Sequence, residues 1–404
     1  ISCSLVGSEM CIRDRDIIDS LTGGRLVGSV TSFENFAECP LRYYLRYGVD
    51  LKEREEFTFS PVNFGVVLHA VIREVCDEIK KNGESYYLIS EEKRREMVKR
   101  SVAAITDIYQ NSILKDSSRN SFMIKRMEDL ADRTIWAMGE QLKCGDFVPF
   151  VFEHKFNMEV GDGDRKQLMS GTIDRVDICE NGTDVYVRII DYKTGKKDFN
   201  IVKTYYGIDI QLMVYMEAAM KLVAKMRPGK NVIPAGVFYY NISDPIVSAT
   251  TESAEEIEDK IKGELRLKGM VNSDKDIAEK MDNTEGTSLN IPVSRKADGG
   301  FDSRRSKVMN TEQFNMLGRF VDVRAVDTAD RIAGGDIRRS PYIDGQFSSC
   351  DRCPYGAVCG FSVDLPGCNY RKLKKFDDEV LWNNIKEGVD ENGKKMDTGA
   401  EERD

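Results

Sequence analysis

The sequence predicts a mixed α/β fold with a helical N-terminal block, a mixed sheet flanked by helices, and a cysteine cluster near the C-terminus. Three observations carry that prediction. Residues 61–143 place apolar residues at helical spacing; residues 147–242 switch to strand-like patterns around one amphipathic helix; and three cysteines fall within residues 350–359.

At 404 residues and 41% apolar content the chain can bury a large core, as one sizeable domain or two ordinary ones. No stretch approaches the roughly 18 consecutive apolar residues of a membrane span, and no basic-then-apolar leader opens the chain. The expected setting is the cytoplasm, away from membranes. The net charge of -9 is uneven: residues 250–286 hold 11 acids against 6 bases and residues 377–404 hold 10 against 4, leaving about +2 for the rest. A phosphate-binding groove therefore remains possible outside those segments. Ten cysteines in a reducing compartment favour metal or cluster ligation over disulfides, and having only His69 and His154 excludes a histidine-rich metal site.

The elements come in chain order. Residues 1–15, "ISCSLVGSEMCIRDR", share no periodicity with the residues after them and look like a translated adapter scar, so Cys3 and Cys11 are set aside with them; residues 16–28 read as a linker. The domain proper spans 29–376. Its first helix begins in "SVTSFENFAECPLRYYLRYG", with Thr31 or Ser32 as N-cap and a bend at Pro40, just after Cys39. Residues 61–82 form a helix opened by Pro61, and two more come at about 90–114 and 120–143. "FVPFVFEHKFNMEV", "KQLMSGTIDRVDICE" and "DVYVRIIDYKT" are strands, "IDIQLMVYMEAAMKLVAKM" a helix and "IPAGVFYYNI" a strand. A charged helical excursion at 250–283, a loop at 284–306 and a helix at 311–334 lead to the cysteines. The acidic tail, 377–404, reads as disordered.

The second and third strands join at "ENGTD", a hairpin signal. A four-residue loop at 181–184 sets Asp174 directly across from Asp191 on one face, and Lys193 joins them two residues on. Facing carboxylates repel, and a hard divalent cation between them relieves the repulsion. A surface ion cluster is the competing explanation, and periodicity alone weighs the two evenly. His69, four residues after Gly65 on a helix, is a candidate metal ligand or substrate contact, although a lone helical histidine is more often a core or surface residue. Gln211 and Tyr215, four apart on a helix, share a face suited to a DNA backbone, and a partly buried amphipathic helix explains them equally well. Glu153 either reaches the metal through its water shell or is a solvated strand residue, with the second slightly favoured.

"CDRCPYGAVC" gives C-x2-C-x5-C at Cys350, Cys353 and Cys359. The fourth thiolate is Cys39, which would close the chain's two ends into a ring, or the nearby Cys368. Spacing leaves zinc and an iron–sulfur cluster both open. Cys76, Cys144 and Cys179 are isolated and read as small core residues.

Taken together, Cys39, Gly65/His69, "GTIDRVD", "RIIDYKTG", Gln211/Tyr215 and "CDRCPYGAVCGF" resemble the RecB-like PD-(D/E)xK nucleases of the iron–sulfur subgroup, and within it the AddB-type nuclease domains, over about residues 29–376. The resemblance implies a restriction-endonuclease-like core and a Mg2+-dependent DNA exonuclease. Such an enzyme processes double-strand breaks for repair and recombination with an AddA-like helicase–nuclease partner, cutting the 5'-ended strand. It further implies His69, Asp174 and Asp191 as metal ligands, Lys193 as the catalytic lysine, Gln211 and Tyr215 completing the site, and a [4Fe-4S] cluster on Cys39, Cys350, Cys353 and Cys359. No G-x4-G-K-[ST] phosphate loop is present, so ATP-driven unwinding is not expected of this chain, which is expected to be the C-terminal part of a longer protein. The alternative is a catalytically idle DNA-end-binding and docking module stapled by the cysteine site.

Overall fold

A computed structural model describes residues 27–52, 61–109, 118–160, 167–248 and 253–401. Its centre is strand β4 (Asp184–Lys193), whose alternation fixes the layering. Val185, Val187 and Ile189 pack into one buried cluster, while Tyr186, Ile190 and Tyr192 pack into another on the opposite face. A strand buried on both faces reads as a nearly continuous apolar run, which is the pattern of "DVYVRIIDY".

Seven strands make the main sheet. β1 (Val27–Ser29) and β2 (Val148–Val160) both pair with β3 (Gln167–Asn181), and the sheet continues through β4, β5 (Asn231–Asn241), β6 (Lys268–Asn272) and β7 (Val308–Met309). Pairing is mixed: β2/β3, β3/β4 and β5/β6 are antiparallel, whereas β1/β3, β4/β5 and β6/β7 are parallel. One face carries α1 (Val30–Glu38), α7 (Gln211–Met226), α10 (Thr311–Ala333) and α12 (Asp378–Glu401). The other carries α3 (Pro61–Lys81), α4 (Glu91–Tyr109) and α5 (Ser118–Lys143). The remaining helices are the short α2 (Pro40–Tyr43), α6 (Ile201–Tyr205), α8 (Ala254–Glu264), α9 (Lys275–Met281) and α11 (Gly356–Cys359), with a π-helical turn at Tyr44–Gly48. A small sheet of β8 (Tyr342–Asp344), β9 (Phe347–Ser348) and β10 (Arg371–Lys372) holds the cysteine-rich segment.

Several expectations change. The hairpin closes tighter than predicted, with Asn181 opposite Asp184 and only Gly182 and Thr183 between; Gly182 takes φ +60, which a glycine adopts without a Cβ penalty. The register is nonetheless the predicted one. The N-cap of α1 is Ser29, whose side chain accepts the Ser32 N–H, rather than Thr31 or Ser32. The last residues of the expected linker, Val27 and Gly28, already belong to β1, while residues 1–26 lie outside the described set. The charged excursion contains a sheet strand, β6, where "GMVN" alternates too briefly to stand out among its charged neighbours. The segment expected to be a disordered tail forms α12, because Leu381 and Ile385, one helical turn apart, bury against α10. Cys76 and Cys179 are buried as expected, but Cys144 is only partly covered.

One charged cluster is buried against the sheet face that carries α3, α4 and α5. Arg175 donates through Nε and Nη2 to the two carboxylate oxygens of Asp177, at 2.7 and 2.6 Å, and Arg188 Nε donates to Asp177 Oδ2 at 2.8 Å. All three residues are at most 1% exposed. Two guanidiniums thus share one carboxylate. Arg188 Nη2 has no hydrogen-bond partner among the described residues, and the Arg188 guanidinium stacks 4.8 Å from the Phe147 ring centre.

Candidate active site and thiol site

The β3/β4 ladder runs from Asn181↔Asp184 to Arg175↔Ile190, so the next rung in the same register sets Asp174 beside Asp191. Asp174 does not wait there for a partner strand. Its Oδ2 accepts the Tyr192 N–H at 2.7 Å, which locks the carboxylate across the ladder's end. Its other oxygen, Oδ1, lies 3.4 Å from His69 Nδ1, and Glu153 Oε1 lies 3.5 Å from the same nitrogen. One ligand atom from each of His69, Glu153 and Asp174 falls within 4.8 Å of the others.

Each of these side chains is placed by its element. His69 projects from α3 with its ring edge-on to Tyr192, centroids 5.8 Å apart. Gly65 is not what brings α3 close, since a Cβ there would meet Thr194 at an ordinary 3.6 Å. Glu153 sits in β2 between the pairs Phe152↔Arg175 and His154↔Ile173, which puts it across from Asp174. Its φ of +47 is unusual for a residue with a side chain, and such strain concentrates at functional sites. The choice of a solvated strand residue for Glu153 is therefore corrected: it is partly buried against His69.

Asp191 engages a different neighbour. Its buried Oδ2 pairs with Lys193 Nζ at 2.5 Å. Lys193 Nζ also donates to Gln211 Oε1 at 3.0 Å, and Gln211 Nε2 donates to Tyr215 Oη at 2.9 Å. Tyr215 fits because Gly171 has no side chain: a Cβ there would stand 2.8 Å from Phe156 and 3.1 Å from Tyr215. The structure thus joins Asp191, Lys193, Gln211 and Tyr215 in one chain of contacts. It places Glu153, rather than Asp191, in the tight group with His69 and Asp174.

The electrostatics match this crowding of carboxylates. Burial, reinforced by the nearby Asp174 charge, raises the Asp191 carboxyl to about 7 against the pull of Lys193. Burial would lower the His69 pKa, but hydrogen bonds to Asp174 and Glu153 outweigh it and raise the ring to about 10. Two carboxylate oxygens and one imidazole nitrogen within 4.8 Å of one another, with the buried Asp191 carboxylate beside them, fit a divalent cation.

At the C-terminal end of α1, Cys39 ends the helix in an extended conformation. Cys39, Cys350, Cys353 and Cys359 line one cavity together with Arg42 and Phe361. Cys368 is buried elsewhere and does not line it. Burial pushes the Cys350 and Cys353 thiols up, and the Phe361 N–H points at Cys359 Sγ from 3.3 Å. The two chain segments are tied by the Leu41 N–H to the Arg338 carbonyl and by the Arg371 guanidinium to the Ala37 and Glu38 carbonyls. Four cysteines lining one cavity supply the ligand type that a zinc site or an iron–sulfur cluster uses.

A family model described as the PD-(D/E)XK nuclease superfamily matches residues 28–360. The chain belongs to that superfamily. It is similar to the B-type component of the ATP-dependent helicase/deoxyribonuclease of Lachnoclostridium phytofermentans, 34% identical over 96% of this chain and 34% of the relative. The proteins of the same description from Thermoanaerobacter sp. (strain X514) and Clostridium acetobutylicum are 33% and 34% identical, over 91% and 92% of this chain and 33% of each relative. The chain spans about a third of the length of these curated relatives. Among the described residues no helix is long and apolar enough to cross a membrane.

Against this superfamily membership, the sequence missed a second ring of charge. Glu34 Oε1 accepts the backbone N–H groups of Ile210 and Gln211, at 2.9 and 3.0 Å. Asp209 is held by Lys197 Nζ at 3.0 Å and by Tyr239 Oη at 2.6 Å. Lys197 comes four residues after Lys193 and Asp209 precedes Gln211 by two, so both stood beside recognised motifs. Glu34 lies more than 170 residues from its partners and carried no such signal.

Proposed function

We propose that this chain is a metal-dependent DNA exonuclease domain of an AddAB-type helicase–nuclease, working in the cytoplasm with an AddA-like partner at double-strand breaks. The observation that carries the reading is the juxtaposition of His69, Glu153 and Asp174 with the Asp191–Lys193–Gln211–Tyr215 chain at the end of one hairpin. His69, Asp174 and Glu153, with Asp191 adjacent, would hold Mg2+, which when bound polarises a phosphodiester and makes its water more acidic. Lys193, held between Asp191 and Gln211, presents a fixed positive charge that orients the attacking water and offsets charge gathering on the phosphate. Tyr215 anchors Gln211 and so fixes where that charge sits. The similar relatives carry "deoxyribonuclease" in their descriptions, which supports the substrate.

Cys39, Cys350, Cys353 and Cys359 would hold a [4Fe-4S] cluster as a structural clip. Protein purified without oxygen is expected to contain about four iron and four sulfide per chain, and Cys39→Ser to lose most of both; zinc without iron in the wild type would remove the cluster from the proposal. The nuclease itself is tested with end-labelled linear duplex and single-stranded DNA. Degradation is expected with Mg2+ and none with EDTA. Binding of DNA ends without cutting under any divalent metal would leave a docking module instead.

A further inference from the structure

Helix α7 carries Gln211 as its first residue, yet nothing local caps it. Its N-cap position is Ile210, with no side-chain hydrogen bond to the first turn. Helix N-termini leave N–H groups without intrahelical partners, and an aliphatic cap residue cannot satisfy them. Glu34, from α1, takes that role at long range by accepting both the Ile210 and Gln211 N–H groups through one oxygen. The turn before α7 is pinned from other sides as well: the Thr204 hydroxyl donates to the Asp209 carbonyl, and Lys197 and Tyr239 hold the Asp209 carboxylate. Gln211 in turn accepts from Lys193 Nζ.

We propose that Glu34 is a positioning residue for the reaction: by clamping the N-terminus of α7 it fixes Gln211, and through Gln211 the ammonium of Lys193. This inference rests on the nuclease reading of the site. It adds that α1 serves both sites, since the helix that bears Glu34 at its middle stops at Cys39 on the thiol cavity. The thiol site and the catalytic lysine are therefore joined by α1 and two hydrogen-bonded links, the Ile210 and Gln211 N–H groups to Glu34 and the Lys193 ammonium to Gln211.

The test compares wild type, Glu34→Ala, Glu34→Gln and Lys193→Ala as full 404-residue chains, purified without oxygen. Glutamine keeps an acceptor oxygen where alanine keeps none. Glu34→Ala is expected to lower kcat for Mg2+-dependent DNA cleavage about 10- to 100-fold with KM for DNA within about twofold, because a small misplacement of a positioned group costs that much. Glu34→Gln is expected to restore kcat to within about threefold. Amide hydrogen exchange measured by mass spectrometry supplies a readout independent of turnover: peptides covering 206–216 should exchange faster in Glu34→Ala, with α3–α5 unchanged. Unaltered kcat in Glu34→Ala, equal losses in both Glu34 variants, or exchange that quickens across the whole domain each overturn the proposal. A wild-type chain that does not cleave removes the nuclease reading and this role with it, whereas a cleaving wild type with an indifferent Glu34→Ala removes only this role.

Discussion

Lys193→Ala should lower the rate of Mg2+-dependent DNA cleavage by about 10²- to 10⁴-fold while leaving affinity for DNA ends within a few-fold of wild type. The expectation comes from how the ammonium is held. It lies against the buried Asp191 and donates to Gln211, with the Tyr239 ring 5.6 Å from it. Such a group meets charge that develops in the transition state without first reorganising, so its removal falls on kcat more than on binding. The side chain is about a quarter exposed, so alanine leaves little cavity and the fold should survive. Lys193→Arg should recover little, because a planar guanidinium cannot occupy a point between one carboxylate and one amide oxygen as an ammonium does. Single-turnover cleavage measured beside circular dichroism decides the matter: a variant within tenfold of wild type would end the assignment of Lys193 to the chemistry.

Asp177→Ala should be the most damaging single change to the fold, costing roughly 3–5 kcal/mol because it leaves two buried guanidiniums without a counter-charge. Thermal unfolding should show it as a drop of roughly 4–6 °C in Tm. Arg188→Met is the informative contrast. Arg188 leaves one nitrogen unbonded among the described residues, and burial pushes its pKa down in spite of Asp177, so an apolar chain over Phe147 should cost less or even stabilise. For Asp177, burial alone would raise the pKa, but the two arginines outweigh it and hold it below the ordinary carboxylate range. A carboxylate depressed in the folded state adds stability above its unfolded pKa of about 4 and loses it as pH falls further. The gap between wild type and Asp177→Ala should accordingly narrow below about pH 4. Equal Tm values for the two proteins at pH 7 would contradict this account.

Much of the site was legible because hairpin geometry converts sequence offset into spatial offset. "ENGTD" and alternating residues on either side were enough to place Asp174 beside Asp191, and a hairpin two residues tighter than expected preserved the same rungs. Helical spacing likewise brought Gln211 and Tyr215 into one hydrogen bond. Glu153 was harder, since its side chain enters the site through a positive φ that alternation cannot foretell. Glu34 was beyond sequence reasoning because its partners are backbone groups, which every residue has. The β6 strand and the α12 helix were missed for a shared reason: each has few apolar residues, set among charges that dominate the composition, and only tertiary burial of Val271, Leu381 and Ile385 reveals them.

The thiol cavity gathers side chains from positions 39 and 350–359, so any group gripped by all four ties off a loop of roughly 310 residues. Its largest effect then falls on the unfolded state. An unfolded chain that keeps such a crosslink has far fewer conformations to explore, a loss on the order of 5 kcal/mol by the loop-entropy relation used for disulfides. The unfolded ensemble, more than any contact in the native fold, is where a grip on Cys39 would hold this domain together.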